Sequence, residues 1–541
     1  MALRAPAALF LLLLLLPFEA RQPALALPWG RLTLLELAAA ALLAVLAWDA
    51  RARLFALARR PAPPLLGLLL YAAAHLLSAG LAPGERGAAL KFALRMLVMA
   101  LAACVVAAQP SGARRAGLLG LVAASALVAL PALAEGLGAR SLDPFFDAFR
   151  EAPFNVGGVR RASASTEYPN LAAAFIVSGL LAAAGWLRRR AWTGALLAAP
   201  LCLGLLFTYS RGALIAAVLG LLAVPVARRS LAGAPLACLA VLACLAAAFA
   251  ASGEAVRLRL GSEGMGGWYR AGYAPADREL ALAPGERGVC AVGIRNVGSK
   301  AWVVAEDFHL SYHWYDAAGR PVRWDGDRTA LPRDVRPGES VMLDATLQAP
   351  PSEGRFLLAW DMVHEHTTWF SEEGSPPGIV AVRVSREQAP PAAGLEPLRL
   401  EPPPWRPSRW ELWRLALELW RERPLVGQGP DSYRRLYGRR AGHSPFDTRV
   451  FANNTLLEAL ATTGALGALA LAATLVLLLA GAWRTLRAAP AGSLEEAEAA
   501  ALLAVSVGLA AHGVVDYVLA FTGHYLLFAF VVGSVSAGEA A

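Results

Sequence analysis

Residues 191–227 read AWTGALLAAPLCLGLLFTYSRGALIAAVLGLLAVPVA, two long apolar runs joined by Phe207-Thr208-Tyr209-Ser210-Arg211-Gly212-Ala213. Each run is long enough to cross a hydrocarbon layer as a helix, so the pair reads as two membrane spans with a very short connection. Arg211 is the lone cation between them. A charge that close to hydrocarbon costs a few kcal/mol unless it meets a counter-ion or water, so its default reading is functional. The short turn fixes the guanidinium near one membrane face, where it suits a lipid-linked phosphate.

The rest of the chain extends this pattern. Hydrophobic residues make up 57% of the 541 residues, and mean hydropathy is +0.47. About twelve apolar runs have spanning length: 5–20, 32–49, 62–82, 89–108, 116–137, 169–186, 191–207, 212–227, 232–252, 456–482, 498–518 and 521–537. The fold expected is a membrane all-α protein of about 12 transmembrane helices. The first run, with Arg4 ahead and Ala24-Leu25-Ala26 behind, also has the grammar of a cleaved signal. So many later spans favour an uncleaved first helix.

The net charge of +9 does not describe a nucleic-acid binder, because the arginines are scattered in clusters beside the spans. Lysine is limited to Lys91 and Lys300. Cys104, Cys202, Cys238 and Cys244 lie in apolar runs and Cys290 stands alone, which gives neither a disulfide framework nor metal-ligand spacing. Arginines follow the second span (Arg51, Arg53, Arg59, Arg60), the fourth (Arg114, Arg115), the sixth (Arg188 to Arg190), the eighth (Arg228, Arg229) and the tenth (Arg484, Arg487). By the positive-inside rule both termini are cytoplasmic and the Arg211 turn faces outward.

The two long connections also fall outside. One, 138–168, holds Arg160 and Arg161. The other runs from 253 to 455. After a linker over 253–284, residues 285–386 alternate apolar and polar at Val289–Ile294, Phe308–Trp314, Ser340–Leu347, Phe356–Met362 and Ile379–Val384, with Gly- and Pro-rich turns between. That rhythm predicts an immunoglobulin-like β-sandwich inserted in the long loop before helix 10. Trp314 and Trp360 read as core, while Trp324 and Trp369 lie in or near loops where a sugar ring can stack. A linker over 387–455 follows, with an amphipathic helix at 408–421. Trp410, Trp413, Leu417 and Trp420 share one of its faces, suited to the membrane interface or to covering the spans. The membrane portion thus comprises 1–252 (spans 1–9) and 456–541 (spans 10–12).

Several segments stand out. Arg161 precedes Glu167-Tyr168-Pro169-Asn170-Leu171-Ala172 at the start of a span. Arg423-Pro424-Leu425-Val426-Gly427-Gln428-Gly429-Pro430 precedes Asn453-Asn454-Thr455-Leu456-Leu457-Glu458, with Gly464 and Gly467 beyond. His512-Gly513-Val514-Val515-Asp516 lies near the last spans, its His and Asp one helical turn apart. With the Ser210-Arg211-Gly212 turn, these segments in this order resemble the O-antigen ligase and polymerase superfamily of integral-membrane glycosyltransferases. The resemblance covers the whole membrane portion; the β-sandwich lies outside the family pattern.

The resemblance implies transfer of a glycan from a polyprenyl-diphosphate carrier, undecaprenyl diphosphate, to a glycan, lipid or protein acceptor on the outer face of a bacterial cytoplasmic membrane. A diphosphate leaving group already carries the activation. The protein then supplies positive charge for the departing diphosphate and a base for the acceptor hydroxyl. Arg211 and Arg161 suit the first task, because the guanidinium fork matches phosphate oxygens bidentately. Arg160, Asn170, Tyr209, Ser210, Asn453, Asn454, His512 and Asp516 are the candidates for holding substrate. Asn453 stands where family ligases carry a histidine, and an amide cannot take a proton at neutral pH. His443, Glu458 and His512 are the alternatives for the base. With no compact carboxylate pair at a span boundary, the expected transfer is metal-independent and uses no cofactor. The rival readings are a transporter or flippase for a lipid-linked sugar, and a non-catalytic cell-envelope assembly protein.

Overall fold

The computed structural model describes residues 4–27, 30–151, 153–156, 159–186, 191–230, 232, 234–251, 267–277, 279–365, 368–386, 407–443 and 446–539. The Arg188 to Arg190 cluster lies outside the described residues. The chain divides into a helical unit (Met1–Phe154, Arg160–Ser252, Pro407–Ala541) and a β unit (Asn155–Val159, Gly253–Arg406).

In the helical unit the helices are α1 (Arg4–Leu15), α2 (Leu34–Asp49), α3 (Arg51–Arg59), α4 (Pro63–Gly80), α5 (Arg86–Ala107), α6 (Ser111–Gly136), α7 (Asp143–Asp147), α8 (Pro169–Trp186), α9 (Ala191–Phe207), α10 (Arg211–Arg228), α11 (Ala234–Ala250), α12 (Arg409–Glu422), α13 (Tyr433–Arg440), α14 (Thr455–Ala488), α15 (Leu494–Gly513) and α16 (Thr522–Glu539). Each apolar run of the sequence carries a helix. By length and composition, α4, α5, α6, α10 and α14 are long and apolar enough to cross a membrane. Their starts follow local chemistry: Pro63 sits in the first turn of α4, Thr33 and Glu36 close a capping box on α2, and Asn454 caps α14 by accepting from the Leu457 N–H at 2.9 Å.

Helix α14 is broken. Gly464 has φ 65° and ψ −165°, a conformation that is essentially glycine's alone. The break frees backbone groups, and the segment 423–429 satisfies them. Gln428 and Gly429 N–H donate to the carbonyls of Ala461 and Thr462 (3.0 and 2.9 Å), while Ala465 N–H donates to Pro424 O (2.8 Å). Ser78 Oγ closes the joint on Val426 O (2.6 Å) and Thr462 O (2.9 Å). A Cβ at Gly427 or Gly464 would overlap the opposite backbone. Irregular backbone in a membrane helix survives where protein covers it, and here another backbone does so.

Helix α12 opens on a Ser408–Glu411 capping box. Its buried face is Leu412, Leu415, Ala416 and Leu419, not the tryptophan face; Trp410 is 66% exposed. The cover role therefore falls to the leucines, and the tryptophans lie along the rim. A second departure concerns α15, which ends at Gly513, so that Asp516 lies in the link to α16 and not on a continuous helix with His512.

The β unit holds β1 (Ala271–Pro275), β2 (Glu279–Leu282), β3 (Arg287–Asn296), β4 (Phe308–Asp316), β5 (Ser340–Gln348), β6 (Gly354–His364) and β7 (Gly378–Val384). One sheet runs 329–330, β4, β6, β7, β2, with 321–323 on β4 and 368–369 on β6; the other runs β5, β3, β1. Among the described residues the pairings are antiparallel except β7 with β2. The two sheets share a core in which Trp302, Trp314 and Trp360 are fully buried; Trp324 is 41% exposed. β1 and β2 fall within 253–284, the stretch expected as a linker. Both are edge strands, and Pro275 is tolerated there because an edge strand need not donate from every residue.

Candidate functional site

The turn ahead of α10 is built tightly. Tyr209 is left-handed (φ 51°), Ser210 takes the N-cap position in extended conformation, and Arg211 opens the helix. Gly212 lies against the end of α15: a side chain there would strike Val515 and approach His512. The segment carrying Arg161 is pinned to the same turn, since Ala162 N–H donates to Phe207 O at 2.8 Å.

From this turn a line of hydrogen bonds crosses one end of the bundle. Arg161 Nε donates to Thr208 O (3.0 Å), and its Nη2 donates to Asn170 Oδ1 (2.9 Å). Asn170 Nδ2 donates to Asp516 Oδ2 (2.6 Å), which lies 3.9 Å from His512 Nε2. The carbonyls left by the early end of α15 are taken up by α14: Asn454 Nδ2 donates to Val514 O (2.8 Å) and Thr455 Oγ1 to Asp516 O (3.0 Å). Arg161, Asn170, His512, Asp516, Asn454 and the Tyr209-Ser210-Arg211 turn are thus brought together. His512 is buried, and neither ring nitrogen has a hydrogen-bond partner among the described residues.

Other residues singled out by sequence go elsewhere. Arg160 donates to Glu135 Oε1 (3.0 Å) and Asp143 Oδ1 (2.6 Å). Its guanidinium holds the Asp143 carboxyl below the ordinary carboxylate range. The buried Arg150 shares Glu135, whose second oxygen accepts from Ser163 and Ala164 N–H, both at 3.0 Å. Arg160 thereby fixes the loop that presents Arg161. Asn453 is left-handed (φ 50°) just before the cap. Glu458 is buried and accepts from Ala452 N–H at 2.8 Å. His443 follows α13, its N–H on Gly438 O (2.9 Å). Among the described residues no group of three or more metal-ligating side chains gathers.

A cavity of about 380 Å³ was not anticipated from sequence. Lys91, Arg95, Arg434, Arg435 and Arg449 line it, with Glu19, Glu167 and Asp431 as the acids. Arg434 and Arg435 both bond Asp431, Arg449 bonds Asp447, and Arg95 bonds Glu36 at 3.1 Å. Tyr168, beside Pro169 and Asn170, is one of its walls. The i, i+4 pair Lys91 and Arg95 in an apolar run was the available signal; the other arginines are collected only by folding. No family model and no curated protein matches this chain.

Proposed function

We propose that this chain is a glycan transferase of the O-antigen ligase and polymerase type. It sits in a bacterial cytoplasmic membrane with twelve crossings, both termini cytoplasmic and residues 253–455 outside. The two sheets and their shared tryptophan core support reading the inserted unit as an immunoglobulin-like sandwich. One observation carries the enzymatic reading. Arg161, tied to the Arg211 turn, is joined through Asn170 to Asp516, beside a buried histidine whose ring has no hydrogen-bond partner among the described residues.

The chemistry follows from those groups. The acceptor oxygen attacks the anomeric carbon of the carrier-bound sugar, the bond from that carbon to diphosphate breaks, and its electron pair leaves on the diphosphate. Arg211 and Arg161 stabilise the departing charge with forked hydrogen bonds, and the N-terminus of α10 adds its own positive end. The hydroxyl proton passes to His512, and Asp516 favours the imidazolium that forms. Asn453 serves only to position, since its amide is no base. The acceptor's identity does not enter this scheme; a glycan, lipid or protein hydroxyl fits it equally.

Reconstitution with a lipid-linked oligosaccharide, with and without a chelator, tests the reading. Arg211→Ala is expected to lower transfer by about 10²–10³-fold at unchanged protein level. Unaltered transfer in that variant overturns the role given to Arg211. Movement of carrier across vesicles without transfer would instead establish the flippase reading.

A further inference from the structure

Among the described residues of the β unit, Trp324 is the one aromatic side chain left exposed, at 41%. A single exposed tryptophan needs no explanation by itself, but this one is rigidly mounted. It lies between 321–323 and 329–330, both of which pair with β4. The imidazole of His313, on β4, stacks on one face of the indole, with centroids 4.0 Å apart and planes 21° apart. Tyr315 and Trp369 meet the ring at 80° and 71°, each with centroids 6.4 Å away. The exposure therefore belongs to the opposite face. His313 is itself fixed: Nδ1 donates to the Trp324 carbonyl, and Nε2 lies 3.4 Å from Oδ2 of the buried Asp361. Asp361 accepts from the Tyr273 hydroxyl (3.2 Å) and from Ser371 N–H (3.1 Å). A side chain at Gly326 would strike Tyr312, so the segment lies flush on β4. Trp369 carries Arg328 over its ring at 5.0 Å, which makes it a brace and not a second platform.

We infer that the open face of Trp324 binds a neutral hexopyranose unit of a glycan. The C–H face of a pyranose is apolar and edged with positive hydrogens, which suits the negative face of an indole. Its rim hydroxyls need partners, and Asp325, Asp327 and Arg323 stand beside Trp324 in sequence to accept and donate. The local charge selects the class. Arg323 pairs with Asp327, and Arg328 pairs with Asp325 and Glu365, two cations against three acids. An acidic sugar meets net repulsion there, and a tryptophan that docks on a membrane surface is ordinarily accompanied by surplus cations. A neutral ring meets neither obstacle. Because the indole is already held in place, little side-chain freedom is lost on binding.

This inference stands on the β unit alone and holds whether or not the helical unit transfers glycan. The full-length protein in nanodiscs is applied to immobilised oligosaccharides: neutral chains of glucose, galactose and mannose beside chains of uronic and sialic acids. Neutral chains should bind at least about tenfold more strongly than acidic ones. Trp324→Ala should weaken that binding about tenfold or more, and Trp324→Tyr, which keeps a ring, by less. Trp410→Ala, at an exposed tryptophan of the helical unit, should leave it unchanged. Binding of no neutral chain, equal binding of acidic chains, unchanged binding in Trp324→Ala or an equal loss in Trp410→Ala overturns the site. Should Trp324→Ala fail to fold, Asp325→Ala, at a side chain 69% exposed, should still weaken binding about threefold or more. Unchanged binding in that variant overturns it as well.

Discussion

Asn170 Nδ2 donates to Asp516 Oδ2 at 2.6 Å, joining the first turn of α8 to the link after α15 across 346 residues of sequence. The amide has its oxygen on Arg161 and its nitrogen on the carboxylate, so it separates a cation from an anion that would otherwise pair directly. Asn170→Asp places a second carboxylate against Asp516 and draws Arg161 into a plain ion pair. Transfer should fall about 10–100-fold, the worth of a charge-assisted hydrogen bond, while Asn170→Gln retains more of it. Transfer rates of the two variants, at matched protein level, check this.

The pair of neighbouring arginines should behave differently. Arg150 and Glu135 are wholly buried, and among the described residues Arg150 has only Asp143, at 4.0 Å, as a second acid, so Glu135→Gln leaves a poorly compensated internal charge and is expected to cost about 3 kcal/mol. Arg160→Ala removes a partner of the same carboxylate that is 21% exposed and should cost less. Thermal unfolding in detergent reads both. If Arg160 instead contacts substrate directly, its alanine variant will keep its melting temperature and lose transfer as fully as Arg161→Ala.

Gly464 gives a backbone test. Alanine there meets both a conformation reserved for glycine and the backbone of Leu425. Strain alone is worth about 1–3 kcal/mol, and the overlap adds to it. Gly464→Ala should lower the yield of folded protein and its melting temperature, with Gly427→Ala close behind. Gly492→Ala, also at positive φ but in open space, should be milder.

The β unit should weaken in acid. His364 bonds the Tyr269 hydroxyl at 3.0 Å and stacks on Phe308, and burial, helped by the Lys300 charge, holds its imidazole below the ordinary histidine value. The unfolded chain therefore binds this proton more readily. The stability it contributes is complete above the unfolded value near 6.5 and is lost as pH falls through the window beneath it. Amide exchange of β4 and β6, corrected for intrinsic rates, should speed up between about pH 7 and pH 5. His364→Gln should flatten that dependence.

Much of this was readable in the chain. Apolar runs placed the helices of the helical unit, because only helices satisfy their own backbone in hydrocarbon, and period-two alternation located β3 to β7. Arg161, Asn170 and Arg211 drew notice because polar groups at the ends of apolar runs are costly, and the fold brings the first two into a hydrogen bond. What escaped were matters decided by partners far along the chain. β1 has no regular alternation and β2 alternates over only four residues, too few to stand out in sequence; both are strands because a neighbour pairs with them. The leucine face of α12 and its tryptophan face are both helical stripes, and only the surface beneath chooses between them. Asp516 leaves the helix because Asn454 and Thr455 offer its carbonyl environment a substitute. The five cations of the charged cavity come from α5, α13 and the segment before α14, which no local pattern relates.

The joint between the 423–429 segment and the break at Gly464 makes two sequence motifs inseparable. Alone, either would carry bare carbonyls and amides into an oily surrounding that offers them nothing. Together they form a splice that can be transplanted only whole. Replacing one half alone with an unrelated sequence should lower the yield of folded protein, whereas replacing both with another matched pair should restore it. A substitution in either motif therefore exacts a cost that only a matching change in the other can relieve.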